Sequence, residues 1–186
     1  MSREPVVISA SRRTDLAACF PEVLFSRLQE FSRETVHSVV IWTKNPRNLM
    51  APGPLRELLK EHGQIYVHLT ITGMGGSEFE PHVPPWQEVA AMAGPLIALI
   101  GGPQRLCWRF DPILEVRGGG RSFSNFSLFP SLAETLALWG IQDCRVSWVS
   151  PYKKVGRRLR AAGWELSAAP ESRKAQGEIL ARTARD

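Results

Sequence analysis

A chain of 186 residues with 44% apolar and 22% charged side chains can bury one core without disulfides or structural metal, which excludes a disulfide-stapled miniprotein or a disordered polyelectrolyte. The most apolar window, Val89 to Gly101, holds a Gly-Pro pair and is too short to span a bilayer, and Met1-Ser2-Arg3-Glu4-Pro5 begins no run of signal-peptide length. The net charge of +5 arises from Tyr152 onward, where nine Lys or Arg meet four Asp or Glu, while the rest of the chain balances. Together these features predict one cytoplasmic domain over 1–186 with no membrane partner.

In chain order, Val6-Val7-Ile8 reads as a strand that runs into Ser9-Ala10-Ser11-Arg12-Arg13-Thr14-Asp15. Phe20, Val23, Leu24, Leu28 and Phe31 recur at near-helical spacing and predict an amphipathic helix over Phe20 to Phe31. His37 to Thr43 is a short β-branched strand followed by Lys44-Asn45-Pro46. Pro54 to His62 predicts a helix closed by Gly63, and Gln64 to Thr72 a third strand. Pro84-Pro85 precedes a helix from Trp86 to Ile100, which Gly101-Gly102-Pro103 breaks before a fourth strand at Arg105 to Phe110. Gly118-Gly119-Gly120 is read as a connecting loop without the spacing of a phosphate-cradling motif. A helix within Leu128 to Trp139, a fifth strand at Asp143 to Val149, and helices at Lys153 to Ala162 and Glu171 to Arg185 complete the chain.

Strands alternating with helices imply right-handed crossovers and a parallel sheet. The third strand places Ile65, Val67, Leu69 and Ile71 on one side and Tyr66, His68, Thr70 and Thr72 on the other. A flat sheet covered on both faces favours continuously apolar strands, so this alternation predicts a partial TIM-type (β/α) barrel of about five parallel strands and five to six helices.

Ligands in parallel-strand folds gather at the strands' carboxyl ends, and here those ends are polar. The expected anion-binding residues are Ser11, Arg12, Arg13, Thr14, Asn45, Thr70, Thr72, Arg109 and Lys153, with Asp15, Lys44 and Asp111 as the catalytic candidates. Arg109 and Asp111 share a strand face, so an internal ion pair and bidentate anion binding by Arg109 are both open. Lys44, if desolvated, becomes a base or Schiff-base nucleophile; otherwise it is a point charge for an anion. Ser11, Thr14 and Asp15 also suit a helix cap, while Arg12 and Arg13 have no such structural role. His68 is expected to be a hydrogen-bonded core imidazole. Cys19, Cys107 and Cys144 are scattered, include no Cys-x-x-Cys pair, and are expected to be small buried apolar side chains, leaving no metal site.

Five ordered segments carry a family resemblance: Ser9 to Asp15, Trp42 to Pro46, Leu69 to Gly73 with Glu80-Pro81, Trp108 to Ile113, and Tyr152 to Val155. Together they resemble the bacterial and archaeal family catalogued as domain of unknown function number eighteen forty-eight. The resemblance implies a partial TIM-type barrel. For longer relatives it also implies a C-terminal cysteine cluster like that of radical S-adenosylmethionine enzymes, and with it an iron–sulfur cluster and S-adenosylmethionine as cofactors. Two departures stand out. Ser150 and Pro151 occupy a stretch where many relatives carry an Asp, and the sequence stops at Asp186 where relatives continue with a strand and the cysteines. A shortened member without the cluster ligands is therefore expected, and whether it is an enzyme stays open.

Two functions follow as expectations. One is an enzyme-like barrel that binds an anionic small molecule or nucleotide-like cofactor at the strand ends. The alternative is a non-catalytic module that presents Lys153, Lys154, Arg157, Arg158 and Arg160 to nucleic acid or an acidic partner, although the simpler account of that helix is a solvated face.

Overall fold

The computed structural model describes residues 5–167 and 170–184. Strand β1 (Val6–Ala10) leads through the short helix α1 (Leu16–Cys19) into α2 (Pro21–Gln29). Strand β2 (Val36–Thr43) is followed by α3 (Arg47–Met50) and α4 (Pro54–His62), and β3 (Ile65–Thr70) by α5 (Trp86–Ala91) and α6 (Ala93–Ile100). After β4 (Leu106–Ile113) come β5 (Glu115–Gly118), β6 (Arg121–Ser124) and α7 (Phe129–Ala137); then β7 (Cys144–Trp148), α8 (Lys153–Ala161), β8 (Glu165–Leu166) and α9 (Pro170–Thr183).

Strands β1-β2-β3-β4-β7 form one parallel sheet in sequence order, and β6-β5-β8 a small antiparallel one. The edge strands β1 and β7 do not pair, so the parallel sheet is not a closed barrel. Right-handed crossovers between sequential neighbours return each helix to the same face. One core accordingly joins Val39, Ile41, Val67, Leu69, Leu106 and Phe110 of the strands to Leu24, Leu28, Leu59, Leu96 and Leu132 of the helices. The opposite face, carrying Val40, Trp42, Tyr66, His68, Cys107 and Arg109, is half-buried or exposed.

Helix α4 spans the predicted Pro54 to His62, and Gly63 closes it in a left-handed conformation at φ 71°. Four other expectations are corrected. The buried stripe of α2 is Leu24 and Leu28, while Phe20, Val23 and Phe31 are exposed, because Phe20 lies in the joint between α1 and α2 and Phe31 beyond the helix end. The predicted helix at Trp86 to Ile100 is two helices meeting at Met92, where Pro95 cannot donate to the carbonyl of Ala91.

The Gly118-Gly119-Gly120 loop is a β-hairpin tip: Gly118 pairs with Arg121, and Gly119 and Gly120 take φ 56° and 74°, as a two-residue hairpin turn requires. Finally, the cysteines are not core residues. Cys19 and Cys144 are exposed and Cys107 is half-buried, since α1 ends at the surface, β7 is an edge strand, and Cys107 points to the uncovered face. The last helix ends at Thr183, and Arg185 of the predicted span lies outside the described residues. No helix among the described residues is long and apolar enough to cross a membrane.

Candidate functional site

The loop after β1 is fastened to the end of β2 by one carboxylate. Asp15 caps α1, its Oδ1 accepting the Ala18 N–H at 2.9 Å. Its Oδ2 accepts the Thr43 hydroxyl at 3.0 Å and the Lys44 N–H at 2.7 Å. Asn45 is turned to the backbone, with its N–H on Thr43 Oγ1 at 3.0 Å and its Oδ1 accepting the Arg47 N–H at 3.2 Å. These bonds fix where the Lys44 side chain departs from the chain.

The ammonium of Lys44 pairs with Glu80, whose side chain is only 9% exposed. The other oxygen of Glu80 accepts the Thr72 hydroxyl at 2.7 Å, and Thr72 Oγ1 in turn accepts the Met74 N–H at 3.2 Å. One strand further on, Arg109 pairs with Asp111, and Asp111 also accepts the Ser147 hydroxyl from β7. Of the two readings open for Arg109 and Asp111, the ion pair is therefore present. It leaves Arg109 facing the cleft.

That cleft, about 180 Å³, is lined by Ser11, Arg12, Arg13, Thr14, Asp15, Trp42, Thr43, Lys44, Thr70 and Arg109. Eight expected site residues thus converge in it. Thr72 and Asp111 stand behind as hydrogen-bond partners, and Asn45 serves the backbone. Lys153 does not join them: it opens α8 in a separate depression with Tyr152 and Trp164. Among the described residues Arg12 and Arg13 have no acidic partner, so Lys44 and Arg109 are offset by Glu80 and Asp111 while two guanidinium charges are left over.

Trp42 and His68, paired across β2 and β3, stack at 4.9 Å between ring centroids and 15° between planes, and the Arg12 guanidinium lies 5.9 Å from the Trp42 ring. The core role expected for His68 is corrected. It faces the uncovered side of the sheet, and its Nδ1 is buried without a hydrogen-bond partner. Burial first, then the charges of Arg109, Arg145 and Arg12, push its pKa below the ordinary 6.5, which favours the neutral imidazole.

Glu80, Trp42, Thr43 and Ser147 join the site from outside the expected set. The signal for Trp42 was its position on the polar-facing register of β2. Glu80 gave a weaker one, as an acid in a Gly-rich segment just beyond a strand end.

The family model described as "Domain of unknown function (DUF1848)" matches residues 29–185, most of the chain. The chain belongs to this family. The matched span contains the segments around Lys44, Thr72, Arg109 and Lys153, and begins after the Ser9 to Asp15 segment. No curated protein and no solved structure matches the chain.

The iron–sulfur cluster implied for longer DUF1848 relatives does not fit the residues described here. Cys19 ends α1, Cys107 projects from the uncovered face of β4, and Cys144 pairs with Trp108 and so projects from the other face. Among the described residues no three His, Cys, Asp or Glu side chains are grouped to hold a metal ion. Burial raises the Cys107 thiol above its ordinary value, which opposes the thiolate that ligation requires.

Proposed function

We propose that this DUF1848 protein binds an anionic small molecule, of phosphate or nucleotide type, at the carboxyl end of its parallel sheet, and that the sheet is a sector of a TIM-type barrel whose polar interior is the uncovered face. The observation that carries the reading is the cleft between Arg12, Arg13, Lys44 and Arg109, in which two of four cations lack an acidic neighbour among the described residues. Guanidinium groups bind phosphate or carboxylate oxygens through paired N–H donors, and Lys44 adds a point charge. Arg109, held by Asp111, is already oriented when the anion arrives. That saves the entropy of fixing a long side chain.

Within this reading Lys44 and Asp111 are the groups able to exchange a proton with a bound molecule, because each is partly exposed beside the cleft. Asp15 is a positioning residue, since its carboxylate already accepts three hydrogen bonds from Ala18, Thr43 and Lys44.

Thermal unfolding at fixed ionic strength across phosphate, sulfate and nucleotides tests the proposal, because a ligand that binds only the folded chain stabilises it by RT ln(1 + [L]/Kd). Arg109→Ala should weaken binding by about 1.5–3 kcal/mol, and neutralising Lys153 and Lys154 should matter less. The absence of any anion-dependent shift, or a shift lost only with the two lysines, would retire it.

A further inference from the structure

A second cationic surface shares no lining residue with the cleft, and two glycines shape it. At Gly118 a Cβ would collide with the carbonyl oxygen of Gly163, so the hairpin backbone approaches the turn between α8 and β8 as closely as only glycine permits. Gly163 itself takes φ 77°. This approach sets Arg117 and Arg121, from the hairpin, beside Arg160 at the end of α8. The three line an open groove of about 790 Å³ with Trp164 and Glu165. The guanidinium of Arg121 lies over the Trp164 ring at 4.7 Å. A neighbouring depression of about 410 Å³ shares Arg160, Trp164 and Glu165 and continues past Lys153 to Tyr152, which is 70% exposed.

None of the ion pairs among the described residues involves Arg117, Arg121, Lys153, Lys154, Arg157, Arg158 or Arg160. Lys153, Arg157 and Arg160 share one face of α8 by their spacing, so the charge continues along the helix from the groove. A basic amphipathic helix can also lie on an anionic membrane, but it then inserts its apolar stripe. That stripe is occupied here. Leu159 is buried and Val155 half-buried in a small core with Trp164, Leu114 and Val116. The cations are left with nothing apolar to insert, and their row is longer than one phosphate needs.

We propose that the β5–β6 hairpin, α8 and β8 form a surface for the phosphodiester backbone of single-stranded nucleic acid, tracked by charge without reading the bases. Arg forks on phosphates account for affinity, counterion release makes it salt-dependent, and Tyr152 offers the one exposed ring for stacking along this stretch. The surface does not depend on the cleft's ligand.

The test is fluorescence anisotropy of a labelled, mixed-sequence DNA strand of about 20 nucleotides, long enough to exceed a single binding site, titrated at several salt concentrations. The triple variant R117A/R121A/R160A should weaken binding at least tenfold and lower the slope of log affinity against log salt by about 2, as expected for three lost phosphate contacts. R12A/R13A, which removes charge from the cleft, should weaken binding less than the triple variant does. If the triple variant does not fold, K153E/R157E on the solvent face of α8 should give the same loss, with its fold checked by circular dichroism. The proposal is overturned if the parent does not bind, if the cleft variant loses affinity equally, or if the parent binds phosphatidylserine vesicles and not the oligonucleotide.

Discussion

On the helix-covered face of the sheet, Ile41, Leu69 and Phe110 are sealed from solvent, while one position away along the same strands Trp42, Thr70 and Arg109 line a polar cleft. Both faces are built from the same backbone, so the two-residue strand period alone separates what holds the fold from what can meet a ligand. The separation has a physical reason. Burial on the covered face is almost purely apolar and contributes stability in proportion to area. The uncovered face carries charge, and its strand-end cations are partly offset by acids: Lys44 by Glu80 from the loop after β3, and Arg109 by Asp111 two residues on in the same strand. Substitutions on the covered face should therefore change stability with little effect on anion binding, and substitutions on the other should do the reverse.

The largest expected effect breaks the covered face. Phe110 is fully buried and packs edge-on against Trp108 and Phe129, at 5.7 and 5.2 Å between centroids. Phe110→Ala should cost about 3–5 kcal/mol of unfolding free energy, read from urea denaturation. Anion affinity in the fraction that remains folded should be unchanged. Trp42→Ala, on the half-open face, should cost under half as much. Equal losses at the two positions would show that the faces do not divide the work in this way.

Much of this arrangement was legible in the chain. Alternation along Gln64 to Thr72 separated the two faces, and strand ends rich in Ser, Thr, Lys and Arg located the cleft, because both depend on local period and composition. The hairpin was not legible. Three consecutive glycines read as a loop, and the pairing of Glu115–Gly118 with Arg121–Ser124 is followed by Asn125, whose amide reaches Thr72, 53 residues away. Asn125 is fully buried; its Oδ1 accepts the Leu114 N–H at 2.8 Å, and its Nδ2 donates to the carbonyls of Thr72 at 2.8 Å and Pro112 at 3.1 Å. One amide thus fastens the hairpin to the ends of β3 and β4. Glu80 was overlooked for a related reason. Its neighbours Glu78 and Phe79 hold the loop in place, Glu78 through the Trp164 indole N–H at 2.9 Å and Phe79 by packing on Phe123 and Trp164. Those partners are some 40 to 90 residues away, beyond the reach of any local pattern.

A smaller and opposite pair of effects is expected from Glu80→Gln, which sharpens the comparison inside the cleft. The amide keeps the shape and can still accept from Thr72, but it removes the charge that offsets Lys44. The side chain of Glu80 is nearly buried whereas Lys44 is one-third exposed, so water screens part of the loss and the cost should be about 1–2 kcal/mol, below that of a fully buried pair. Binding of phosphate should become tighter, because Lys44 then adds its charge to those of Arg12 and Arg13. Thermal shifts with and without phosphate separate the two terms. A variant that is both less stable and weaker for phosphate would mean that Glu80 positions the ligand and does not merely offset Lys44.

The smallest effect concerns the half-buried imidazole beside the cleft. In the unfolded chain His68 titrates near its ordinary 6.5, while in the fold burial and then Arg109, Arg145 and Arg12 hold its pKa lower. Between the two values the unfolded state takes up a proton that the folded state refuses. Stability contributed by this residue is therefore complete above pH 6.5 and falls as the pH drops through the folded value. His68→Gln should flatten this part of the pH profile. A bound anion cancels some of the guanidinium charge, so phosphate should move the His68 titration, followed by its ring protons in NMR, upward toward its ordinary value. No movement, with phosphate binding established by thermal shift, would place the anion away from Arg12 and Arg109.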